Sequence, residues 1–134
     1  TDRGLTWENV TETIQKPFDA YTNPLRFADL TIHYTDPSDQ LLLTNQGLFH
    51  TNDSGDNWQR IAVLDEQQHP FITSVAWDPQ NQQRLYYFAN QVLHRSLNFG
   101  ASWETVPFTT DNRQNHLIID PSNSQRLYLG TERE

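Results

Sequence analysis

Residues 51–58, Thr-Asn-Asp-Ser-Gly-Asp-Asn-Trp, gather a hydroxyl, two carboxylates, a glycine turn and an indole. Taken alone, that grouping suits a metal or sugar pocket. It is not alone. Thr51-x-Asp53-x-Gly55-x-x-Trp58 is repeated as Ser96-x-Asn98-x-Gly100-x-x-Trp103. Asp2-x-Gly4-x-x-Trp7 repeats all but the leading hydroxyl residue. Recurrence shifts the reading from a chemical site to a structural unit.

The other chemistry-bearing residues form no recognisable constellation. The histidines at 33, 50, 69, 94 and 116 show no metal-ligand spacing, so no metal and no cofactor is expected. His50 and His94 read as equivalent third-strand positions, where repeat packing explains them. No glycine-rich phosphate loop and no G-x-S-x-G elbow is present.

The elements that would carry these residues repeat as well. Asp36-Pro37, Asp78-Pro79 and Asp120-Pro121 recur at intervals of 42 residues. Apolar runs flank each one: "DLTIHYT" and "QLLLTN", "ITSVAW" and "RLYYFAN", "HLIID" and "RLYLGT". Rich in Ile, Val, Leu, Tyr and Trp, these runs read as strands. Each Asp-Pro reads as a turn, because proline cannot donate to a sheet ladder. The middle unit then has strands at 72–77, 84–90, 92–97 and 102–108. The preceding unit has them at 29–35, 40–45, 47–52 and 57–63. Four antiparallel strands per repeat of this length is the pattern of a β-propeller blade.

The recurrent turn has a derivable chemistry. Gly55 and Gly100 supply the positive φ of a tight hairpin. Asp53 and Asn98 can accept backbone N–H bonds within their own loops. Thr51 and Ser96 add a hydroxyl across the turn. The tryptophan opens the fourth strand, and its ring can fold back beneath the turn and offset the ordering cost of a hairpin.

On these residues the chain resembles the Asp-box, or BNR, β-propellers. That group includes sialidases, xyloglucanase-type glycoside hydrolases, sortilin-type receptor domains and photosystem II assembly factors. The resemblance implies an all-β partial propeller of about three blades with Asp-box hairpins. It also places the box at the blade periphery. Asp2, Gly4, Trp7, Thr51, Asp53, Gly55, Trp58, Ser96, Asn98, Gly100 and Trp103 are thereby expected to be structural. Asn98 departs from the pattern by losing the charge and keeping the acceptor.

The expected organisation follows. Residues 1–12 form the last strand of a blade, 13–28 an inter-blade loop, 29–64 and 71–108 two blades, and 115–134 the first half of another. Two full blades and two partial ones fall short of a ring. The ring is expected to be completed by further blades of a longer chain or by other subunits.

Catalysis on such a scaffold would need either an arginine cluster with a Tyr nucleophile or two carboxylates across a cleft. Arg84 and Arg126 flank turns and read as surface residues. Asp29, ahead of a first strand, is the one weak catalytic candidate. Phe71 and Arg113 occupy the matching offset, and a solvated loop acid is the alternative reading for Asp29.

Composition narrows the partners. The 134 residues carry a net charge of -8, which disfavours nucleic acid and polybasic membrane contacts. There is no cysteine, and no apolar run approaches a membrane span. The expectation is a non-catalytic module, extracytoplasmic in location, that binds a protein and supports a larger assembly. The alternatives are part of a glycoside hydrolase or a sortilin-like peptide-binding ectodomain.

Overall fold

A computed structural model describes residues 4, 6, 26–64, 72–107 and 113–133. Every regular element among them is a strand. β1 (Phe27–Ile32), β2 (Gln40–Thr44), β3 (Gly47–Thr51) and β4 (Gln59–Ile61) form one antiparallel sheet in sequential order. β5 (Ile72–Trp77), β6 (Leu85–Ala89), β7 (Val92–Ser96) and β8 (Glu104–Val106) form a second. β9 (Arg113–Ile119) and β10 (Leu127–Glu132) form a two-stranded third. β1 opens at Phe27, so residues 27 and 28 belong to the strand and not to the expected loop. β9 likewise opens at Arg113, two residues early. The expected outer strand at 1–12, apart from Gly4 and Thr6, and loop residues 13–25 lie outside the described residues.

The sheets stack face to face. Side chains alternate between faces along a strand. The back of the first sheet carries Leu41, Leu43, Leu48 and Ile61. It packs on the front of the second, which carries Val75, Trp77, Leu85 and Tyr87. The back of the second, with Ala76, Tyr86, Phe88 and Leu93, packs on Leu117 and Ile119 at the front of the third. Tyr87, Leu41, Leu43 and Leu85 are fully buried. The second sheet is therefore packed on both faces, which explains the continuous apolar run at β6.

Strand pairing corrects the sequence alignment of the units. Ile32 pairs Gln40, Trp77 pairs Leu85, and Ile119 pairs Leu127. His33, Asp78 and Asp120 are thus the equivalent first residues of three loops of equal length. Their N–H groups donate to the carbonyls of Asp39, Arg84 and Arg126 respectively. Asp36 instead matches Asn81 and Asn123. Its side chain accepts from Ser38 N at 3.0 Å, as Asn81 accepts from Gln83 N and Asn123 from Gln125 N. The first repeat is therefore offset by 45 residues, and the 42-residue interval between Asp36 and Asp78 is not structural.

Two further expectations change with this register. The equivalents of Asp29 are Ser74 and His116, not Phe71 and Arg113. His50, paired with Leu41, matches Arg95, paired with Tyr86. His94 pairs with Tyr87 and matches Phe49, so the two histidines lie on opposite faces of their own sheets. Both still look into the same joint. His50 meets Trp77 and Phe99 edge-on, and His94 stacks on Tyr87 at 4.5 Å.

Candidate functional site

The repeated turns close on themselves. Thr51 Oγ1 donates to Asp53 Oδ1 at 2.6 Å and accepts from Gly55 N at 3.0 Å. Asp53 then accepts from Asn57 N at 2.9 Å and from Asn57 Nδ2 at 2.8 Å. In the second sheet Ser96 Oγ donates to Asn98 Oδ1 at 2.9 Å and accepts from Gly100 N at 2.7 Å. Asn98 Oδ1 accepts from Ser102 N at 2.8 Å. The amide thus reproduces the geometry without the charge. Hydrogen bonds from Thr51 and Asn57 pull the Asp53 carboxyl down to about 2, with Thr51 the larger cause.

Each glycine sits over its tryptophan. Gly55 and Gly100 have φ of 97° and 83°. A Cβ on either would lie 3.6 Å from the indole Cζ2 of Trp58 or Trp103, so the ring lies directly beneath the turn. The residues ahead of the glycines, Ser54 and Phe99, are also left-handed, at 61° and 54°. Neither type favours that region, so nothing in the sequence signals it. Their N–H groups donate to Ser38 O and Gln83 O, tying each turn to the first hairpin loop of its own sheet. Gly4 also has a positive φ, of 83°. Asp2 and Trp7 lie outside the described residues.

None of these turn residues lines the groove along the inner strands. That groove, of about 400 Å³, is formed by β1, β5, β9 and the loops that follow them. Its polar side chains include Asp29, Tyr34 and His116, with Leu30, Ile32 and Ile118 exposed beside them. Tyr34 was not singled out from sequence, and no spacing signal marks it. His116 reaches the groove because it is the register equivalent of Asp29.

Asp29 is not a solvated loop acid. Its Oδ1 accepts from Leu30 N at 2.9 Å and its Oδ2 from Val75 N at 3.4 Å. Thr31 Oγ1 donates to the Val75 carbonyl at 3.4 Å. Together they cap the free edge of β5 from β1. At the next joint the equivalents are Ser74 and Ala76, and Ser74 Oγ is buried without a partner. Among the described residues lining the groove, Asp29 is the one that carries a carboxylate. Arg84, Arg95 and Arg126 each face an acid of their own sheet: Asp78, Glu104 and Asp120. Among the described residues no group of three His, Cys, Asp or Glu is placed to hold a metal ion.

No family model and no curated protein matches the chain. Solved structures do. An ancestral GH74 enzyme aligns over 78% of this chain at 19% identity with a TM-score of 0.60. The GH74 xyloglucanase from Xanthomonas campestris aligns over 76% at 21% identity, TM-score 0.61. YCF48 from Cyanidioschyzon merolae aligns over 73% at 16% identity, TM-score 0.53. The chain spans 16%, 18% and 29% of those three structures respectively. With sheets of this order and stacking, these likenesses define an all-β protein of the β-propeller class.

Proposed function

We propose that this chain is part of a non-catalytic β-propeller that binds a protein segment in the groove along its inner strands and supports a larger assembly. The observation that carries the reading is the engagement of Asp29. Among the described residues it is the one acid on the groove wall, and it already accepts two backbone N–H groups. A glycosidase of the usual kind needs a pair of carboxylates about 5–10 Å apart, one of them free to attack or to activate water. The exposed side chains Leu30, Ile32, Tyr34 and Ile118 instead offer an apolar, aromatic wall suited to peptide side chains. In this reading the Asp-box turns brace the sheets and leave recognition to the inner loops. The surrounding ring is completed by further blades, consistent with the small share of each GH74 and YCF48 chain that this one spans.

A second reading, part of a carbohydrate-active hydrolase, is favoured by the GH74 likeness. A panel of sialosides and β-glucans separates the two. No turnover is expected with the wild-type chain. Hydrolysis that disappears in Asp29→Asn would reverse the order.

A further inference from the structure

Hydrogen-bonded and non-bonded pairs alternate along an antiparallel ladder, which fixes where each inner strand points its backbone groups. In the third sheet Asp120 N donates to the Arg126 carbonyl, so residues 120 and 126 form a bonded pair. Ile119–Leu127 and Leu117–Leu129 are then non-bonded pairs. The N–H and C=O groups of Leu117 and Ile119 therefore turn away from β10, toward the inner edge of β9 beside the groove. The same alternation in the second sheet, starting from Asp78 N and the Arg84 carbonyl, turns Val75 to the inner edge of β5. There its N–H and C=O meet Asp29 and Thr31 of β1.

A cap of this kind is supplied by the preceding sheet. For β9 the supplier is β5, where Ser74 and Ala76 hold the places of Asp29 and Thr31. The Ser74 hydroxyl sits one bond closer to the backbone than an aspartate carboxylate oxygen does, and the Ala76 side chain carries no polar atom. Ser74 is 1% exposed and its Oγ has no partner. No side chain among the described residues caps Leu117 or Ile119. β5 is in place, so the gap lies in these residue types and not in chain beyond either end. β9 is left with donors and acceptors at alternate residues, about 6.6 Å apart along the strand. Another main chain in extended form completes an edge of this pattern. Charge narrows the occupant. Asp29 is the one carboxylate residue among the described residues lining the groove, and none of them is Lys or Arg. Its two bonded N–H groups leave acceptor capacity on both oxygens for a basic side chain.

We infer that an extended protein segment bearing a basic side chain adds to the inner edge of β9 and pairs its main chain with Leu117 and Ile119. The inference rests on the protein-binding reading above and supplies its geometry. Ser74 is then the residue that keeps the β9 edge open, where Asp29 closes that of β5.

Short peptides selected on the protein from a random phage-displayed library are the probe. The readouts are backbone amide exchange by NMR and a scan of N-methylated peptide positions. In the free protein the Leu117 and Ile119 amides should exchange faster than that of Val75, and bound peptide should slow both. The selected sequences should share a Lys or Arg. N-methylation should weaken binding roughly tenfold at every second residue, because it removes a donor from the ladder. Ser74→Asp and Ser74→Asn extend the side chain to the reach of Asp29, so either should cap Leu117 and weaken binding by a similar factor. Thermal melting shows whether each variant is folded, and the methylation scan decides where one is not. A Leu117 amide as slow as that of Val75 in the free protein overturns the inference, as does a set of binders without a basic residue. Methylation losses that do not alternate also overturn it, and they leave the protein-binding reading intact with side chains as its means. A library that yields no binder overturns both.

Discussion

Asp39 Oδ2 accepts a hydrogen bond from Gln82 Nε2 at 2.7 Å across the joint between the first and second sheets. The other carboxylate oxygen meets His50 Nε2 at 2.8 Å. Asp39 is only 7% exposed and occupies the slot that Arg84 and Arg126 fill in the other sheets. A residue of opposite charge has been used there to hold two sheets together. Asp39→Ala removes the acceptor of exposed Gln82 and of half-buried His50, so it should lower unfolding free energy by about 0.5–1.5 kcal/mol. Urea titration followed by tryptophan fluorescence measures this, and a loss near zero would contradict the brace.

The two turn glycines should not tolerate alanine equally. Both have positive φ, which costs an alanine roughly 1–2 kcal/mol. At Gly55 the nearest atom to a new Cβ is 3.6 Å away. At Gly100 that Cβ would lie 2.4 Å from Ile61 Cγ2, in the neighbouring sheet. Gly100→Ala should therefore cost about 1–3 kcal/mol more than Gly55→Ala, an overpacking penalty. Paired denaturation curves test it. Equal losses would mean that the joint yields freely at Ile61.

Acid should loosen the first turn and spare the second. Asp53 titrates near 2 in the folded chain, below its ordinary 3.8. Its contribution is full above about pH 4 and fades as pH falls toward 2. Asn98 carries no such dependence. Carboxyl carbon shifts followed by NMR should place the Asp53 midpoint near 2. Asp36 and Asp120 should also titrate low, held chiefly by the Ser38 and Ser122 hydroxyls. An ordinary Asp53 midpoint would mean that the Thr51 and Asn57 bonds do not persist in solution.

The hairpin between β6 and β7 carries removable strain. Asn90 and Gln91 both adopt left-handed conformations, at 51° and 63°, as a two-residue turn of this kind demands. Asparagine is at home there and glutamine is not. Gln91→Gly should raise stability by about 0.5–1 kcal/mol. Thermal unfolding reads the gain, and a loss would show that the glutamine side chain has an unrecognised role.

The class of fold was legible because it is written in residue types. A glycine after an Asp or Asn, a tryptophan three places on, and apolar runs between turns each carry their own physical reason. Register was less legible. Asp36 misled because Asp and Asn make the same bond to a backbone N–H two residues on. A conspicuous Asp-Pro pair was therefore matched to the wrong slot. A slip of one residue then made His50 and His94 equivalent although they lie on opposite faces, since alternation leaves no margin. The role of Asp29 was not readable at all. Its second partner, Val75 N, is 46 residues away and is a backbone group that no side-chain pattern announces. The groove was legible only as the inner strands that line it, because its lining comes from three separate repeats.

The outer strands differ in a way that bears on the chain's fate when crowded. β4 and β8 are three residues long, and polar side chains lie along them, with Glu104 of β8 bonded to Arg95. Such rims give an incoming strand little to template. β10 runs for six residues, and its far edge has no neighbouring strand among the described residues. Among the described residues β10 therefore leaves a longer bare edge than β4 or β8 does. A proline placed in that strand should delay aggregation far more than one placed in β4 or β8.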